Sequence, residues 1–225
     1  MNMKKLSVRK IILIVSILNC IAIIAAIACW MPDTVATHFN YKGEADAYGS
    51  KWNYIMFAFL PLILSAVYEI YRKKSNNAKG NQALEDKLIP LISLVFVAIG
   101  WLMIPFSNVE QMNPNAGGGI FILFGILMII LGNYMGKIKQ NRYLGIRIPW
   151  TLKNETVWKK THRLGGFTGV AGGLVLTLSG VIGLFSPENA FLIGMVGLFI
   201  SITLVVIVPI VYSYILYKKT VSEED

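Results

Sequence analysis

Side chains that could do chemistry are few in this chain, and they fall in two polar stretches. The first stretch, residues 31–51, reads MPDTVATHFNYKGEADAYGSK and holds His38, Glu44 and Asp46. These three side chains could converge on a cation, but one histidine with scattered carboxylates lacks the spacing of a recognised metal motif. The alternative is a hydrogen-bonded pair of His38 and Asp46 that holds the loop closed. We therefore predict neither a metal nor a cofactor.

The second stretch, residues 141–166, reads NRYLGIRIPWTLKNETVWKKTHRLGG. Its first half is predicted to be irregular, because Gly145 permits an unusual backbone turn and Pro149 disfavours helix at the residue before it. Arg147 carries a planar guanidinium that can fork onto a carboxylate, a helix end or an acidic group of a partner. We expect a packed structure centred on Arg147, and direct contact with a partner or ligand is a second possible role.

The second half of this stretch is predicted to form a short helix over residues 155–164, capped by Thr151 or Asn154. On that helix Trp158 and His162 are four residues apart and share a face. A tryptophan anchor and a basic opposite face are typical of an interfacial helix whose cations meet lipid phosphates. The cations are Lys159, Lys160 and Arg163.

The elements that must hold these two stretches are hydrophobic helices. Of the 225 residues 55% are hydrophobic and 15% are charged, against about 25% charged in soluble proteins. The apolar residues form continuous blocks of the ~20 residues that cross a bilayer as a helix, without the alternation of a membrane β-barrel. We predict an all-α polytopic membrane protein with six transmembrane helices; the first is expected to stay uncleaved, because it exceeds a signal-peptide core. The apolar blocks are residues 11–30, 53–71, 88–106, 118–136, 166–185 and 190–217.

Lysine and arginine are distributed unevenly among the connecting segments. Four segments, the two ends of the chain and the loops at 72–87 and 137–165, hold 19 of the 21 basic residues, and the loop at 31–51 holds the other two. The positive-inside rule therefore predicts that both termini are cytoplasmic. The net charge of +9 is explained by this topology, so we expect membrane lipids rather than nucleic acid as partners. We divide the chain into a two-helix region, 1–87, with an extracellular loop, and a four-helix region, 88–225, with a cytoplasmic loop.

The predicted spans contain very few ionisable residues. Glu69 is the one acidic residue inside an apolar block, and it lies one turn from the end of that block. Ion-coupled transporters and intramembrane enzymes usually hold ionisable groups at mid-membrane. Neither class is favoured here, and we predict that the protein is not an enzyme.

Glycines recur at close-packing spacing in two of the predicted helices. Such spacing lets helix backbones approach each other in lipid, where burial from water does not drive association. We expect bundle packing, with a sliding or gating interface as the alternative. The glycines are Gly125, Gly132 and Gly136 in the fourth block, and Gly165, Gly169 and Gly173 around the start of the fifth.

The first polar stretch resembles a small bacterial membrane domain of unknown function. After its first membrane helix, that domain carries a proline, an HFN-like triplet, a glycine, an acidic residue and a lysine. The resemblance favours a ligand-facing role for the loop, beside the structural role considered above. The matching residues are Pro32, His38, Phe39, Asn40, Gly43, Asp46 and Lys51.

The second polar stretch carries the pattern N-x-x-x-G-x-R-x-P-x-T, followed by W-x-x-x-H-R and a Gly-Gly pair. This pattern resembles the SdpI-type bacterial immunity-protein family, which the domain of the first stretch often accompanies. The resemblance implies a six-span protein of the bacterial plasma membrane. The residues that fit are Asn141, Gly145, Arg147, Pro149, Thr151, Trp158, His162, Arg163 and Gly166.

The resemblance implies a non-enzymatic immunity protein that neutralises a secreted antimicrobial peptide at its extracellular loop. The best-known member of the family also signals the presence of its toxin by drawing a transcriptional repressor to the membrane, which makes a cytoplasmic repressor a further implied partner. A small transporter or channel for an uncharged or lipid-like molecule is the alternative. A membrane enzyme using His38 or His162 is disfavoured, because the two histidines are predicted to lie on opposite membrane faces. The sequence does not predict the oligomeric state.

Overall fold

The computed structural model describes residues 7–40, 42, 44–74, 81–105, 114–141 and 144–222. The chain is 82% helical, which confirms the predicted all-α class. Its packing separates two compact units, Met1–Ala116 and Gly117–Asp225. The predicted boundary after residue 87 separates two regions of the sequence and does not concern packed units. It therefore stays a prediction.

The first unit contains three long helices and a β-hairpin that the sequence analysis did not predict. The two strands pair antiparallel, from Thr34 opposite Ser50 to Phe39 opposite Ala45, with an irregular register around His38. Alanine, aspartate and glycine are depleted in strands, so the second strand, ADAYGS, gives little signal of its own. The elements are α1 Val8–Cys29, β1 Thr34–Phe39, β2 Ala45–Ser50, a 3-10 turn Lys51–Tyr54, α2 Ile55–Lys74 and α3 Gln82–Met103.

The hairpin is fixed to the helices by buried residues of its first strand. Val35 and Ala36 are fully buried, and the Tyr54 hydroxyl donates a hydrogen bond of 3.0 Å to the Ala36 carbonyl. Val35 and Tyr54 join a core cluster with Ile23 and Ile27 of α1. The residues between the first two helices are therefore a folded structure and not a simple connecting loop.

The second unit is organised around one long helix, α6, which runs unbroken for 31 residues. The short interfacial helix and the fifth span that the sequence suggested are thus a single helix. The following span is divided by a π-helical turn before Pro209. The elements are α4 Pro114–Met135, α5 Pro149–Lys153, α6 Glu155–Phe185, a 3-10 turn Pro187–Asn189, α7 Ala190–Ile202, a π turn Thr203–Ile207 and α8 Val208–Ser222.

Helices α4 and α6 pack through glycines that repeat every seven residues on each helix and meet in antiparallel register. A Cβ atom on Gly180 or Gly173 would lie 2.6 Å from the carbonyl oxygen of the opposing glycine on α4, and one on Gly166 would lie 3.1 Å away. Such distances leave no room for a side chain, so the two backbones are in direct contact. The predicted close packing is confirmed for Gly125, Gly132, Gly169 and Gly173, whereas Gly136 makes no tight contact and Gly165 faces the Ile146 and Met135 side chains. The pairs are Gly118 with Gly180, Gly125 with Gly173, and Gly132 with Gly166.

Within the described residues, six helical segments are long and apolar enough to cross a membrane, as predicted. The third begins at Gln82 and the fifth at Glu155, six and eleven residues earlier than the apolar blocks suggested. The differences arise because charged residues occupy the first turns of both helices. The protein is a multi-pass membrane protein, and the orientation of its termini stays a prediction.

Candidate functional site

In the segment between α4 and α6, the Asn141 side chain bonds backbone groups on both sides of it. The Asn141 amide donates to the Lys139 carbonyl at 2.7 Å, and its side-chain oxygen accepts from the Leu144 backbone N–H at 2.7 Å. Gly145 follows with φ of +108°, the one positive φ among the described residues. A side chain is strained at such an angle, which explains the glycine.

The imidazole of His162 is the buried centre of this segment, and its hydrogen bonds determine its tautomer. The Ile146 backbone N–H donates to Nε2 at 3.0 Å, so Nε2 is an acceptor and carries no proton. Nδ1 therefore carries the proton and donates to the Trp158 carbonyl at 2.9 Å. His162 is 1% exposed, and a Cβ atom on Gly145 would collide with its Nε2. Both ring nitrogens are used by backbone groups, so the ring holds the loop on α6.

Trp158 lies in the core of the segment rather than at a lipid surface. Its indole is fully buried and stacks on the His162 ring, with ring centroids 4.0 Å apart. The indole N–H donates to the Ile138 carbonyl at 2.8 Å, just past the end of α4. The interpretation of Trp158 as a membrane-interface anchor is therefore wrong. The side chain joins the ends of α4 and α6 instead.

Thr151 is the second buried polar centre of the segment. Its hydroxyl lies 2.8 Å from the Ile146 carbonyl and 2.9 Å from the Ile148 carbonyl, and it accepts from the Ile148 N–H at 3.1 Å. Pro149 starts α5 at a position where a missing N–H costs no helical hydrogen bond. Thr151 thus closes the first turn of α5, while the predicted cap of α6 is Asn154, whose side chain accepts from the Val157 N–H at 3.0 Å.

Two residues of this segment had not been singled out from the sequence. Gln140 donates to the Thr151 and Leu152 carbonyls at 2.8 and 3.0 Å, which satisfies the end of α5. The Trp150 indole donates to the Ser213 hydroxyl at 2.8 Å and so joins α5 to α8. Trp150 could have been noticed because a tryptophan is unusual inside a polar loop, whereas nothing in the sequence marked Gln140.

The remaining motif residues lie away from the buried centre. Arg147 is exposed, so the packed structure is centred on His162 and Thr151 rather than on Arg147. Arg163 is exposed on α6, as are Lys159 and Lys160. Gly166 lies one turn further along α6, in the glycine contact with α4.

Several motif residues of the hairpin form hydrogen bonds within it. His38 Nδ1 and Asp46 Oδ1 are 2.5 Å apart across the strands, which confirms the predicted pair. The Asn40 side chain accepts from the Lys42 and Glu44 backbone N–H groups at 2.8 and 3.1 Å, closing the turn. Phe39 is half-buried at the end of β1, and Gly43 lies outside the described residues.

At the base of the hairpin, Lys51 Nζ forms an ion pair of 3.0 Å with Asp33. Glu44 accepts a hydrogen bond from the Asn40 amide at 2.8 Å and does not join His38 and Asp46. Within the described part of the chain, no group of three or more histidine, cysteine or acidic residues could hold a metal ion. Beside exposed polar side chains such as His38, two aromatic side chains are exposed on β2 and on the 3-10 turn that follows it. Tyr48 is 54% exposed and Trp52 is 48% exposed.

The first unit also holds a charged cluster that the sequence analysis missed, where α1, α2 and α3 meet at one end. Arg72 donates to both oxygens of Asp86 at 3.1 Å, and the Tyr68 hydroxyl donates to Asp86 at 2.8 Å. Arg9 lies 3.6 Å from Glu69 and 3.7 Å from Asp86. The available signal was that charges lie near the ends of three predicted spans, but the third span had been placed to begin after Asp86.

A chain of three serine hydroxyls crosses the same helices deeper in the bundle. Ser65 donates to Ser93 at 3.0 Å, and Ser93 donates to the Ile89 carbonyl at 3.1 Å. Since the Ser65 hydrogen is thus used, Ser16, at 3.1 Å, donates to Ser65. All three serines are buried, and each comes from a different helix.

Comparisons with known proteins match the two regions that hold these structures. Residues 137–213 match the SdpI/YfhL protein family, and residues 14–67 match a domain of unknown function (DUF1648). The chain is similar to Immunity protein SdpI of Bacillus subtilis (strain 168), with 33% identity over 129 residues. That alignment covers 57% of each protein, so the chain spans little more than half of the relative's length. No solved structure matches.

The two matches fall where the sequence resemblances were found. The region 14–67 holds most of α1 and α2 with the hairpin between them, and the region 137–213 holds the packed segment around His162. Both resemblances are confirmed. The chain is a multi-pass bacterial membrane protein in which residues 137–213 match the SdpI/YfhL protein family and residues 14–67 match a domain of unknown function.

Proposed function

We propose that this protein protects its cell against a secreted peptide toxin, as a membrane immunity protein without enzymatic activity. The observation that carries this proposal is the 33% identity to a protein named Immunity protein SdpI, together with the family match at residues 137–213. Within that match lies the buried segment around His162. An elaborate fold in a connecting segment supports a role beyond reversing the chain.

The surroundings of His162 support binding rather than catalysis. Both nitrogens of His162 are engaged by backbone groups, and the ring is buried, so it is poorly placed to exchange a proton with a substrate. A general acid or base needs a ring nitrogen within reach of the reacting group.

The orientation that we propose puts the hairpin outside the cell and the segment around His162 inside. It rests on the excess of lysine and arginine in alternate connecting segments. Three candidate spans separate the two structures along the chain, which is why the proposal puts them on opposite sides of the membrane. The test is labelling by a membrane-impermeant maleimide of single cysteines at Ala47 and at Leu152, in a background without Cys20 and Cys29. If intact cells were labelled at Leu152 and not at Ala47, the orientation would be the opposite of the one proposed.

We assign toxin contact to the exposed aromatic side chains of the hairpin rather than to its motif residues. The His38 side chain is 67% exposed but is held by Asp46, and Tyr48 on β2 and Trp52 on the following 3-10 turn present about half of their surface. Aromatic side chains supply large contact areas at a low cost in conformational entropy. A membrane-active peptide with apolar side chains is a matching partner.

The decisive experiment measures survival of a toxin-sensitive bacterium that expresses the protein. Protection is expected from the wild type and loss of protection from the double variant Tyr48→Ala, Trp52→Ala. The matched control is Ile63→Ala, an exposed apolar residue of α2 away from the hairpin, which should protect like the wild type. Equal killing with and without a verified membrane-inserted copy would refute the immunity function. Protection by the aromatic double variant would refute only the assigned surface.

A finer part of the proposal is that the segment around His162 reports the toxin to a cytoplasmic repressor. Arg147, Leu152 and Lys153 are exposed on that segment, and such a mixed apolar and basic surface suits an acidic protein surface. The test first asks whether a repressor gene lies beside this gene, and then follows the location of that repressor with a fluorescent tag. It should move to the membrane when toxin is added and stay in the cytoplasm in the variant Leu152→Ala, Lys153→Ala. Unchanged recruitment in this variant would show that the repressor does not bind this surface.

A further inference from the structure

We propose that a groove between α4 and α6 binds an anionic phospholipid, with one acyl chain along the glycine contact and the phosphate on Arg163. The groove has a volume of about 460 Å³ and opens on the surface of the second unit. The inference goes beyond the immunity function and does not depend on it. The groove is lined by Gly132, Asn133, Gly136, Arg163, Gly166, Phe167, Val170, Ala171 and Leu174.

The floor of the groove exists because glycines replace side chains there. Gly132 and Gly166 are in backbone contact, where a Cβ atom on Gly166 would lie 3.1 Å from the Gly132 oxygen. Next to them, a Cβ atom on Gly136 would have Arg163 Cα as its nearest neighbour, at 3.9 Å. The helices touch on one side of this line and leave open space on the other.

The walls of the groove are apolar and exposed. Phe167 is 66% exposed and Leu174 is 49% exposed, and Val170 and Ala171 lie between them on α6. These residues belong to a helix that is long and apolar enough to cross a membrane. The medium around such a helix is hydrocarbon, so an acyl chain is the occupant that matches both the walls and the surroundings.

The polar end of the groove lies at the depth where a phospholipid carries its phosphate. Asn133 and Arg163 form this end, and α4 finishes two residues after Asn133, at Met135. Because an apolar spanning helix ends near the membrane surface, Arg163 is placed at the level of the headgroups. Its guanidinium can bind two oxygens of one phosphate.

The charge around Arg163 favours an anionic lipid over a zwitterionic one. In the described part of the second unit the carboxylates are Glu155 and Glu188, and Glu155 forms an ion pair of 2.8 Å with Lys159. Lys137 and Lys160 are exposed near the same end of the groove. This local excess of positive charge attracts a headgroup with a net negative charge and repels the ammonium of phosphatidylcholine.

The test uses the delipidated full-length protein in detergent and native mass spectrometry with two probes, phosphatidylglycerol and phosphatidylcholine. The wild type should bind phosphatidylglycerol at least about fivefold more tightly, which corresponds to the ~1 kcal/mol expected for a basic residue at an anionic headgroup. Arg163→Gln should abolish the preference, and Arg163→Lys should keep part of it. The control Lys153→Gln removes the same charge from an exposed position outside the groove and should keep the preference.

A second pair of variants tests the acyl-chain part of the groove. Ala171→Trp fills it and should reduce binding of both lipids several-fold, whereas Leu178→Trp, on an exposed position of the same helix beyond the groove, should bind like the wild type. Glycerol 3-phosphate, which has no acyl chain, should not displace the lipid. Equal losses in Arg163→Gln and Lys153→Gln, or full binding by Ala171→Trp, would overturn the proposal. So would efficient disulfide cross-linking of two copies through Ala171→Cys that phosphatidylglycerol does not inhibit.

Discussion

The two units hold their helices together by different means. In the first unit, α1, α2 and α3 are linked by the serine chain through Ser65 and by the charged cluster around Asp86. In the second unit, α4 and α6 meet through three glycine pairs, such as Gly125 with Gly173, in backbone contact. The first arrangement joins particular atoms, and the second joins complementary surfaces.

The two units thus show two ways in which helices associate in a membrane, where burial from water gives no driving force. Hydrogen bonds between membrane helices contribute about 0.6 kcal/mol each on average, so several are needed, and the first unit has them. Glycine contacts instead bring backbones close enough for many small dispersion attractions. The second arrangement tolerates no added atom, whereas the first tolerates the loss of one bond. We expect the two units to respond differently to matched substitutions.

The largest effect is expected for Gly145→Ala in the second unit. The new methyl group is strained at φ of +108° and collides with the His162 ring, which cannot retreat because it is stacked on Trp158. Backbone strain and the loss of the Ile146 hydrogen bond together should cost about 3 kcal/mol. The measurement is unfolding in detergent, followed by tryptophan fluorescence. Gly136→Ala, whose new methyl group would find its nearest neighbour at 3.9 Å, is the control and should unfold like the wild type.

The next effect tests the glycine contact itself, through Gly125→Ala. The added methyl group would lie 2.7 Å from the Gly173 carbonyl oxygen, so α4 and α6 must separate, at a cost of about 1–3 kcal/mol. Gly119→Ala on the same helix is the control, because no atom lies within 4 Å of its new methyl group. Hydrogen exchange should increase in peptides from α4 and α6 of Gly125→Ala and stay unchanged in Gly119→Ala. Equal exchange in the two variants would show that the register is not tightly packed.

A smaller effect is expected in the first unit for Asp86→Asn. The change weakens the hydrogen bonds from Arg72 and Tyr68 but leaves the serine chain intact, so the loss should be about 1–2 kcal/mol. Asp33→Asn is the control, since Asp33 is almost fully exposed in its ion pair with Lys51. Faster hydrogen exchange is expected at the charged end of α2 and α3 in Asp86→Asn alone. If Asp86→Asn lowered stability as much as Gly145→Ala does, the charged cluster alone, without the serine chain, would account for the stability of the first unit.

Much of the fold could be predicted from the sequence because membrane helices are encoded in local composition. The number of spans follows from apolar length, and capping chemistry reduced the cap of α6 to Thr151 or Asn154, of which Asn154 is the cap. The pair of His38 and Asp46 was among the alternatives for the same reason, since both residues lie in one short loop. These are features that neighbouring residues determine.

The rest depends on contacts between distant residues, which a single sequence does not encode visibly. Trp158 shares a helix face with His162, but only the fold shows that this face meets Ile138 and Ile146 rather than lipid. Arg147 is exposed, so it is not the buried centre of the packed segment, and its contact with a partner stays a prediction. The hairpin was missed since its strands are short and its second strand is poor in β-forming residues.

The smallest effect is expected for Glu155→Gln in the second unit, and it completes the comparison of charges between the units. Glu155 and Lys159 form an ion pair of 2.8 Å one helical turn apart, but both side chains are exposed, so water screens their attraction. No resolvable change in unfolding is expected, in contrast to the half-buried Asp86. The measurement is the unfolding midpoint at low and high salt. One result would contradict this contrast: Glu155→Gln destabilises the protein as much as Asp86→Asn, and high salt also lowers the unfolding midpoint. Exposed charge would then stabilise the second unit, and the units would not differ in this respect.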